Sequence, residues 1–381
     1  MQLVIHDLSA EQWNEIARNY PDSTVLCDNG AMKPCVGCFG CWNKTPGECV
    51  IKDGYDNMGY LIHHADEVTV ISRYTYGGFS GSVKNFFDRS LAYVLPHFEI
   101  VNGESHHQKR YDEEKPYTFI FHGPKLSEKE KENARRYVKA VTTNMRTVVK
   151  DVVFWETEDR QESNTETNKI CAGKTVLLNA SMRSVNGNTA KLAEQLSKLL
   201  KQENEIVNLS QYINRYSVLV KQLEDVSTLV LCEPLYVDGL PSQLIRLLET
   251  FQIEYKGGRK NIYVLTNMGL YESQQLVNLF SAIKEWCKVM KFEYCGGLGV
   301  GAGELVGGLL DFLKFGQGPM VKINNGMKQL AEAINNRRET EDIYKEVYLF
   351  PRSLYIAIAN SGWRRMAKKN GLTEKDLYRR L

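Results

Sequence analysis

Residues Thr175–Leu196 read TVLLNASMRSVNGNTAKLAEQL, and this stretch decides the fold. It begins with a short apolar run that is typical of a buried strand in a parallel sheet. A loop of Ser, Arg, Asn and Gly follows, and then an amphipathic pattern predicts a helix that begins near Asn188 or Thr189. A strand, a short polar loop and a helix in this order form the first part of a βαβ unit.

The same alternation continues along the rest of the chain. Predicted strands in the first half are LVIHDL, TVLC, EVTVIS, YTFIFH and TVVKDVVFW, and those in the second half are KTVLLNAS, NEIVNL, STLVLCEP and KNIYVLTN. Helical patterns separate most of them. The first-half stretch VTVISRYTYGGFSGSVKNFFD is similar to TLVLCEPLYVDGLPSQLIRLLE, which follows about 160 residues later. The sequence therefore predicts an α/β protein with two doubly wound parallel-sheet domains that arose by tandem duplication.

A change in composition separates the two halves. After Trp155 the chain reads ETEDRQESNTETNK, which is polar and has no periodicity, and this predicts a linker. We expect a first domain at residues 1–155, a linker at 156–173, a second domain at 174–338 and a C-terminal helical extension at 339–381.

Composition excludes several classes of protein. The 381 residues include 48 basic and 46 acidic side chains, a formal net charge of only +2. Nucleic acids and anionic membranes usually require a larger excess of Lys and Arg, so we expect neither as a partner. The chain has no run typical of a membrane helix and no signal-peptide pattern, so a cytoplasmic location is expected.

The loop after the first strand of the second half has the chemistry of a phosphate site. Helix N-termini present unpaired N–H groups and a partial positive charge. Gly187 permits a tight turn, Arg183 adds charge, and hydrogen-bond donors come from Ser181, Ser184, Asn188 and Thr189. Neither a nucleotide-hydrolysing Gly-Lys-Ser/Thr pattern nor a dinucleotide fingerprint is present. The alternative is a helix whose Ser and Asn side chains only cap its own first turn.

Two further loops are expected at the same sheet edge, because ligands of doubly wound sheets bind beyond the carboxyl ends of the strands. EPLYVDGLP follows the third strand of the second half, and TNMGLYES follows the fourth. Together they predict a pocket lined by Pro234, Tyr236, Asp238, Gly239, Thr266, Asn267 and Gly269.

These loops resemble those of the flavodoxin-like NAD(P)H-dependent FMN reductases and, within them, the iron-sulfur flavoproteins. The resemblance implies FMN in the second half. Its phosphate would be held by the loop residues Ser181, Arg183, Asn186, Gly187, Asn188 and Thr189. The isoalloxazine ring would lie beside Leu235, Tyr236, Val237 and Gly239.

A cysteine-rich stretch in the first half is the second candidate site. PCVGCFGCWNKTPGEC spaces Cys35, Cys38, Cys41 and Cys49 as C-x2-C-x2-C-x7-C, which is closer to the ferredoxin run than to paired zinc hooks. The spacing also resembles the motif that holds a 4Fe-4S cluster in iron-sulfur flavoproteins. Structural or redox-reactive thiols and a zinc site are the alternatives.

The two halves differ in complementary ways. The first half has IHDLSAEQWNEIA at its first loop, where Asp7 and Glu11 would repel a phosphate. The second half has no cysteines at the position of the first-half cluster. In the resembling family the cluster of one subunit approaches the flavin of the next. We therefore expect one active site per chain, to which the first half supplies its cluster and a loop with Tyr74, Tyr76 and Phe79.

The sequence thus predicts an FMN-dependent oxidoreductase with NAD(P)H as electron donor and a small-molecule redox substrate or an electron-transfer protein as acceptor. FMN would carry the chemistry, with Tyr236 and Tyr76 as ring neighbours. The alternatives are a flavin-binding electron carrier, or an FMN reductase without a cluster. The expected quaternary state is a monomer with an internal pseudo-dimer, or a homodimer.

Overall fold

The computed structural model describes residues 1–157 and 173–381. The chain forms two compact units. The first contains the described residues up to 157 together with Ile356–Leu381, and the second contains the described residues from 173 to Tyr355. The predicted linker at 156–173 therefore falls largely on residues 158–172, which lie outside the described residues, as does Cys171.

The first unit is built around a parallel sheet. Its strands are β1 (Gln2–His6), β2 (Thr24–Cys27), β3 (Glu67–Arg73), β4 (Val94–Val101), β5 (Glu104–Lys109), β6 (Pro116–Pro124) and β7 (Val148–Thr157). Its helices are α1 (Ala10–Ile16), α2 (Gly40–Asn43), α3 (Met58–His64), α4 (Gly81–Arg89) and α5 (Glu128–Met145). Five of the strands form a sheet in the order β2-β1-β3-β6-β7, and β4 and β5 form a separate antiparallel hairpin.

The second unit is also built around a parallel sheet. Its strands are β8 (Thr175–Asn179), β9 (Asn204–Asn208), β10 (Thr228–Pro234), β11 (Asn261–Asn267), β12 (Glu293–Val300) and β13 (Asp342–Lys345). Its helices are α6 (Asn188–Ser197), α7 (Tyr216–Gln222), α8 (Ser242–Glu254), α9 (Val277–Met290), α10 (Gly303–Leu309) and α11 (Val321–Asn336). The sheet order is β13-β12-β11-β10-β8-β9. The last helix, α12 (Arg352–Lys369), belongs for most of its length to the first unit.

Both sheets have the doubly wound order of flavodoxin-like proteins. Counted along the chain within each sheet, the strands run 2-1-3-4-5, with a sixth strand added in the second unit, and neighbouring strands are parallel. Every residue of β8 is buried, as expected where helices cover both faces of a parallel sheet. The predicted fold class is confirmed.

Two elements differ from the sequence-based prediction. The glycine-rich β12 was not among the predicted strands, and its glycines let neighbouring backbone approach closely. A Cβ atom on Gly297 would lie 2.5 Å from the carbonyl oxygen of Val264. The expected helical extension at 339–381 begins instead with β13, which pairs with β12 as the last strand of the second sheet. Its helical part starts only at Arg352.

Among the described residues, no helix combines the length and apolarity that crossing a bilayer requires.

Candidate functional site

The second unit places three of the predicted loops around the point where its strand order reverses. β8 and β10 are the neighbours at this point, and ligands of doubly wound sheets bind beyond the carboxyl ends of such strands. The loop between β8 and α6, residues 180–187, is called here the phosphate loop. The loop after β10, residues 235–241, is called the turn loop.

The phosphate loop is held in shape by its own polar side chains. The Asn179 side chain accepts a hydrogen bond from the Ser181 N–H (3.2 Å) and donates to the Ser184 carbonyl (3.3 Å). The Ser181 hydroxyl accepts from the Arg183 N–H at 3.3 Å. Ser184 adopts a left-handed conformation with φ of 52°, which a non-glycine residue tolerates at some cost. These bonds fix the loop before any ligand binds.

The N-terminus of α6 is open. Its N-cap is Gly187, and within the described chain no side chain caps the first turn. By contrast, α1, at the equivalent place in the first unit, is closed by a capping box between Ser9 and Gln12. The alternative of a self-capped helix at the phosphate loop therefore does not match the structure. Free N–H groups and the positive end of the helix dipole remain for an anion.

The predicted phosphate-binding residues do not all face the same place. Thr189 is buried, and its hydroxyl hydrogen-bonds to the Asn267 side chain at 2.8 Å, which ties α6 to the end of β11. The Asn188 side chain packs against Gly307, where an added Cβ atom would lie 1.9 Å from its oxygen. Arg183 forms an ion pair with Glu304 at 3.3 Å, and Asn186 is exposed.

The turn loop contains a strained hairpin turn. Tyr236 and Gly239 exchange two backbone hydrogen bonds of 3.0 Å, and between them Val237 and Asp238 have φ of 38° and 60°. Positive φ at both central residues defines a type I′ turn, which favours Asn and Gly; a β-branched valine there is strained. Strain of this kind concentrates at functional sites. Pro234, Leu235, Tyr236 and Val237 are half-buried, so this loop is partly accessible.

The third loop follows β11, and two residues that sequence analysis did not assign to the site, Tyr355 and Glu304, lie close to the site loops. Thr266 and Asn267 are buried at the end of β11 and Gly269 is half-buried. The hydroxyl of Tyr355 donates a hydrogen bond to the Gly269 carbonyl. Glu304, the partner of Arg183, lies on α10. No local motif marks these two residues, because both reach the site only through folding.

Glu233 is the most unusual side chain near the site. It lies next to last in β10, is 0% exposed, and has no hydrogen-bond partner among the described residues for either carboxyl oxygen. Burial raises the pKa of Glu233 well above its usual value. Thr266, its neighbour in register on β11, is also buried with an unpartnered hydroxyl within the described structure. The sequence feature that could have identified Glu233 is an acidic residue within the apolar strand sequence TLVLCEP.

In the first unit, an acidic residue, Asp7, stands after β1, at the place equivalent to the start of the phosphate loop. Asp7 accepts hydrogen bonds from the Arg73 N–H (3.0 Å) and from His122 (2.8 Å). Burial acts to raise the pKa of Asp7, but the bonds from His122, Ser80 and Arg73 lower it overall. An ionised carboxylate beside a capped helix does not suit a phosphate.

The aromatic loop of the first unit is mostly buried. Thr75 and Gly78 form the same pair of 3.0 Å backbone bonds as Tyr236 and Gly239. Tyr76 is buried. Phe79 is 1% exposed and stacks on Phe87 in the core of the first unit, and the role of this loop at a flavin stays a prediction.

The four cysteines of the first unit lie in one short region, called here the four-cysteine loop (residues 35–49). Burial, then Asp88, Cys49 and Cys38, raise the pKa of Cys35 to about 12, with an opposing hydrogen bond from the Gly37 N–H. Burial, then Cys35, Cys49 and Cys38, raise the pKa of Cys41. The four sulfur atoms are thus close enough to interact electrostatically. The Gly40 N–H donates to the Cys38 sulfur at 3.4 Å.

Aromatic rings cover this loop from the C-terminal part of the first unit. Trp42 is almost fully buried and donates to the carbonyls of Leu91 (3.1 Å) and Val94 (2.9 Å). The Trp363 ring meets Phe39 at 5.3 Å and Trp42 at 5.1 Å between centroids. The described cysteines are free thiols, and within residues 1–157 and 173–381 no three His, Cys, Asp or Glu side chains converge as ligands of a single metal ion.

The fold and these loops define the class: an α/β protein of flavodoxin-like strand order, with an uncapped helix N-terminus beside a polar loop at the switch point of its second sheet. No protein-family model matches the chain. Among curated proteins, an iron-sulfur flavoprotein from Methanosarcina thermophila is 28% identical over 85 residues, which is 22% of this chain and 44% of that protein. The match therefore spans less than half of that relative.

Three solved structures are also similar. The Trp repressor binding protein of Bacillus subtilis is 15% identical with a TM-score of 0.31, covering 42% of this chain and 96% of its own. An azoreductase from Bacillus anthracis str. Sterne is 12% identical with a TM-score of 0.31, covering 43% of this chain and 99% of its own. An FMN-dependent NADH-azoreductase from Bacillus anthracis str. Ames Ancestor, in complex with FMN, is 14% identical with a TM-score of 0.32. The likeness covers 44% of this chain and 100% of that one. The fold assignment rests on strand order rather than on these likenesses.

Proposed function

We propose that this protein is an FMN-dependent oxidoreductase that takes electrons from NAD(P)H. The observation that carries the proposal is the open N-terminus of α6 beside a preformed polar loop at the switch point of the second sheet. A phosphate group satisfies both the unpaired N–H groups and the helix dipole. FMN combines such a phosphate with a flat ring that the half-buried turn loop would border.

The chain's own residues bind and orient the cofactor. Ser181 and the first N–H groups of α6 hold the phosphate, and Arg183 adds positive charge. Leu235, Tyr236, Val237 and Gly239 lie beside the ring, while Thr266, Asn267 and Gly269 form the third side. FMN supplies the hydride and electron chemistry when bound. The proposed acceptor is a small-molecule redox substrate or an electron-transfer protein.

The four-cysteine loop is proposed to hold a 4Fe-4S cluster. A cubane binds each thiolate at a different iron, so its ligands need not converge on one point as those of a zinc ion must. The donor set supports this: four neighbouring thiols, N–H groups directed at Cys35 and Cys38, and aromatic rings packed against the loop. The relative named above is an iron-sulfur flavoprotein by name.

The thiol-redox alternative fits less well. A reactive cysteine needs a lowered pKa and accessibility, because the thiolate is the nucleophile. Burial instead raises the pKa of Cys35 and Cys41. Metal coordination would compensate this cost directly, since it replaces the proton on each sulfur.

A tandem duplication is proposed for the origin of the two units. Both sheets share the 2-1-3-4-5 order, and the Thr75–Gly78 and Tyr236–Gly239 turns carry the same bridge at the same place after the third strand. The domain bounds and the internal active site remain predictions, as does the choice between monomer and homodimer.

One anaerobic preparation tests the proposal. We expect about one FMN and about four iron and four sulfide per chain, with NAD(P)H oxidation in the presence of a flavin-accepting dye. Protein that contains FMN but no iron would support the reductase proposal and refute the cluster. Protein that neither carries FMN nor binds added FMN would refute the function as a whole.

A further inference from the structure

Two arginine side chains are buried next to the four-cysteine loop. Arg89 and Arg110 are each 2% exposed. The Arg110 guanidinium and the Trp42 indole N–H both donate to the Val94 carbonyl, at 3.3 Å and 2.9 Å, and Cys41 directly precedes Trp42 in the chain. Arg89 donates to the carbonyl of Ile51, two residues after Cys49, at 3.0 Å. Each cation therefore lies near a different member of the proposed ligand set.

Arg89 is already neutralised. Its two terminal nitrogens form a bidentate pair with Asp53 at 2.9 Å each. Burial acts to raise the pKa of Asp53, yet the Arg89 hydrogen bonds lower it to about 2. This closed pair also binds the carbonyls of Lys33 (2.7 Å) and Ile51 (3.0 Å), so it shapes the loop.

Arg110 has no such partner. Its guanidinium donates only to main-chain carbonyls, those of Ala92 (2.7 Å), Val94 (3.3 Å), Leu377 (2.9 Å) and Arg379 (2.7 Å). Within the described chain no carboxylate pairs with it. An unpaired buried charge is strongly destabilising. Burial accordingly lowers the pKa of Arg110 to about 10.

A negatively charged group at the cysteines would compensate that cost. A 4Fe-4S centre with four thiolates carries a net negative charge, and one-electron reduction adds another. A fixed cation nearby stabilises the reduced form more than the oxidised form, because the Coulomb attraction grows with the added charge.

We propose that Arg110 is the counter-charge of the four-cysteine centre: the carbonyls of Ala92, Val94, Leu377 and Arg379 hold its guanidinium beside Cys41, where it favours cluster reduction. The inference rests on the proposed cluster. Arg110 acts through the centre and is a positioning residue. The residues 377–379 that fix it lie in the C-terminal segment that also supplies Trp363.

The test uses anaerobic full-length protein and two substitutions at one position. Arg110→Gln removes the charge, whereas Arg110→Lys keeps the charge and loses most of the hydrogen bonds. Arg380→Gln is the control: Arg380 is in the same segment and pairs with Asp112 at the surface, where solvent screens its charge. The readout is the potential of the cluster, titrated with dithionite and followed by EPR and visible absorption.

We expect Arg110→Gln to favour the oxidised cluster at least tenfold, a shift of about 59 mV to more negative potential for a one-electron couple. Arg110→Lys and Arg380→Gln should stay close to wild type. If Arg110→Gln loses its iron while Arg110→Lys retains it, the charge role is also supported.

Three results would overturn the inference, and they are distinguishable. An unchanged potential in Arg110→Gln refutes the counter-charge alone. Equal shifts or equal iron loss in both Arg110 variants assign the residue a structural role only. Wild-type protein that holds no iron refutes the proposed cluster and, with it, this inference.

Discussion

At the residue scale, Glu233 is a carboxyl group that the second-unit core holds without a partner among the described residues. A charged carboxylate there would be costly, so the folded protein favours the protonated acid. A neutral acid donates a hydrogen bond, which an ionised one cannot do. Its place two residues before the turn loop puts this property close to the proposed ring site.

The raised pKa of Glu233 makes stability depend on pH. The folded-state pKa lies above the unfolded value, so between the two the folded chain retains a proton that the unfolded chain has lost. The free energy of unfolding should therefore fall as pH rises, by about 1.4 kcal/mol per pH unit in that range. Below the unfolded pKa this stabilisation is fully present.

Glu233→Gln should remove that part of the slope. Urea denaturation of FMN-free protein between pH 5 and 8 measures it, with exposed Glu194→Gln as the matched control. We expect the free energy of unfolding of Glu233→Gln to increase relative to that of the wild type as pH rises. A wild-type slope in Glu233→Gln would contradict this account.

Val237 is the second residue with a measurable consequence. Its φ of 38° places a β-branched side chain in the left-handed region, at a cost of about 1–2 kcal/mol. Asn tolerates this conformation and suits the first central position of a type I′ turn. Val237→Asn should therefore raise the free energy of unfolding by about 1 kcal/mol.

Val237→Thr is the matched control for strain, because threonine keeps the β-branch. Chemical denaturation of the two variants without FMN compares them directly. Equal stability of the Asn and Thr variants would show that the turn stores no strain.

At the scale of elements, the helix N-termini distinguish the two units. α1 is closed by Ser9 and Gln12, whereas α6 begins at Gly187 with no described side-chain cap. A Cβ atom on Gly187 would lie 2.8 Å from the Ser181 hydroxyl, which would have to move. The observed shape of the phosphate loop therefore requires a residue without a side chain at position 187.

Gly187→Ala should weaken FMN binding at least tenfold, about 1.4 kcal/mol, with little change in stability. Quenching of FMN fluorescence on titration measures the affinity. Ser9→Ala is the counterpart in the first unit and should cost about 1 kcal/mol of stability while leaving FMN affinity unchanged. If Ser9→Ala weakened FMN binding, the phosphate site would lie in the first unit, which would contradict the proposed site in the second.

At the scale of the whole molecule, the two proposed cofactors belong to different compact units. Cys41→Ser should therefore abolish iron and sulfide while about one FMN per chain is retained. Cys27→Ser, at the end of β2 in the same unit, is the control and should keep its iron. Parallel metal and flavin analysis of each variant gives the answer, and loss of FMN with the iron would contradict separate sites.

Much of the fold could be predicted because it is encoded locally. Apolar runs of strand length alternate with amphipathic helices, so β1, β3, β8 and β10 were identifiable from periodicity alone. The hairpin β4–β5 and strand β12 were not. Their sequences carry His, Glu or Gly in place of a clear period, and distant contacts such as Val264 against Gly297 decide them.

The candidate sites divide in the same way. The sequence by itself determined the phosphate loop and the spacing of the four cysteines, because each lies within a few consecutive turns of chain. Only the tertiary structure brought Arg110 to the carbonyls of Leu377 and Arg379, which are more than 260 residues away along the chain. It likewise buried Glu233 and left α6 uncapped. Burial and charge pairing depend on what folding places nearby, and no local pattern records that.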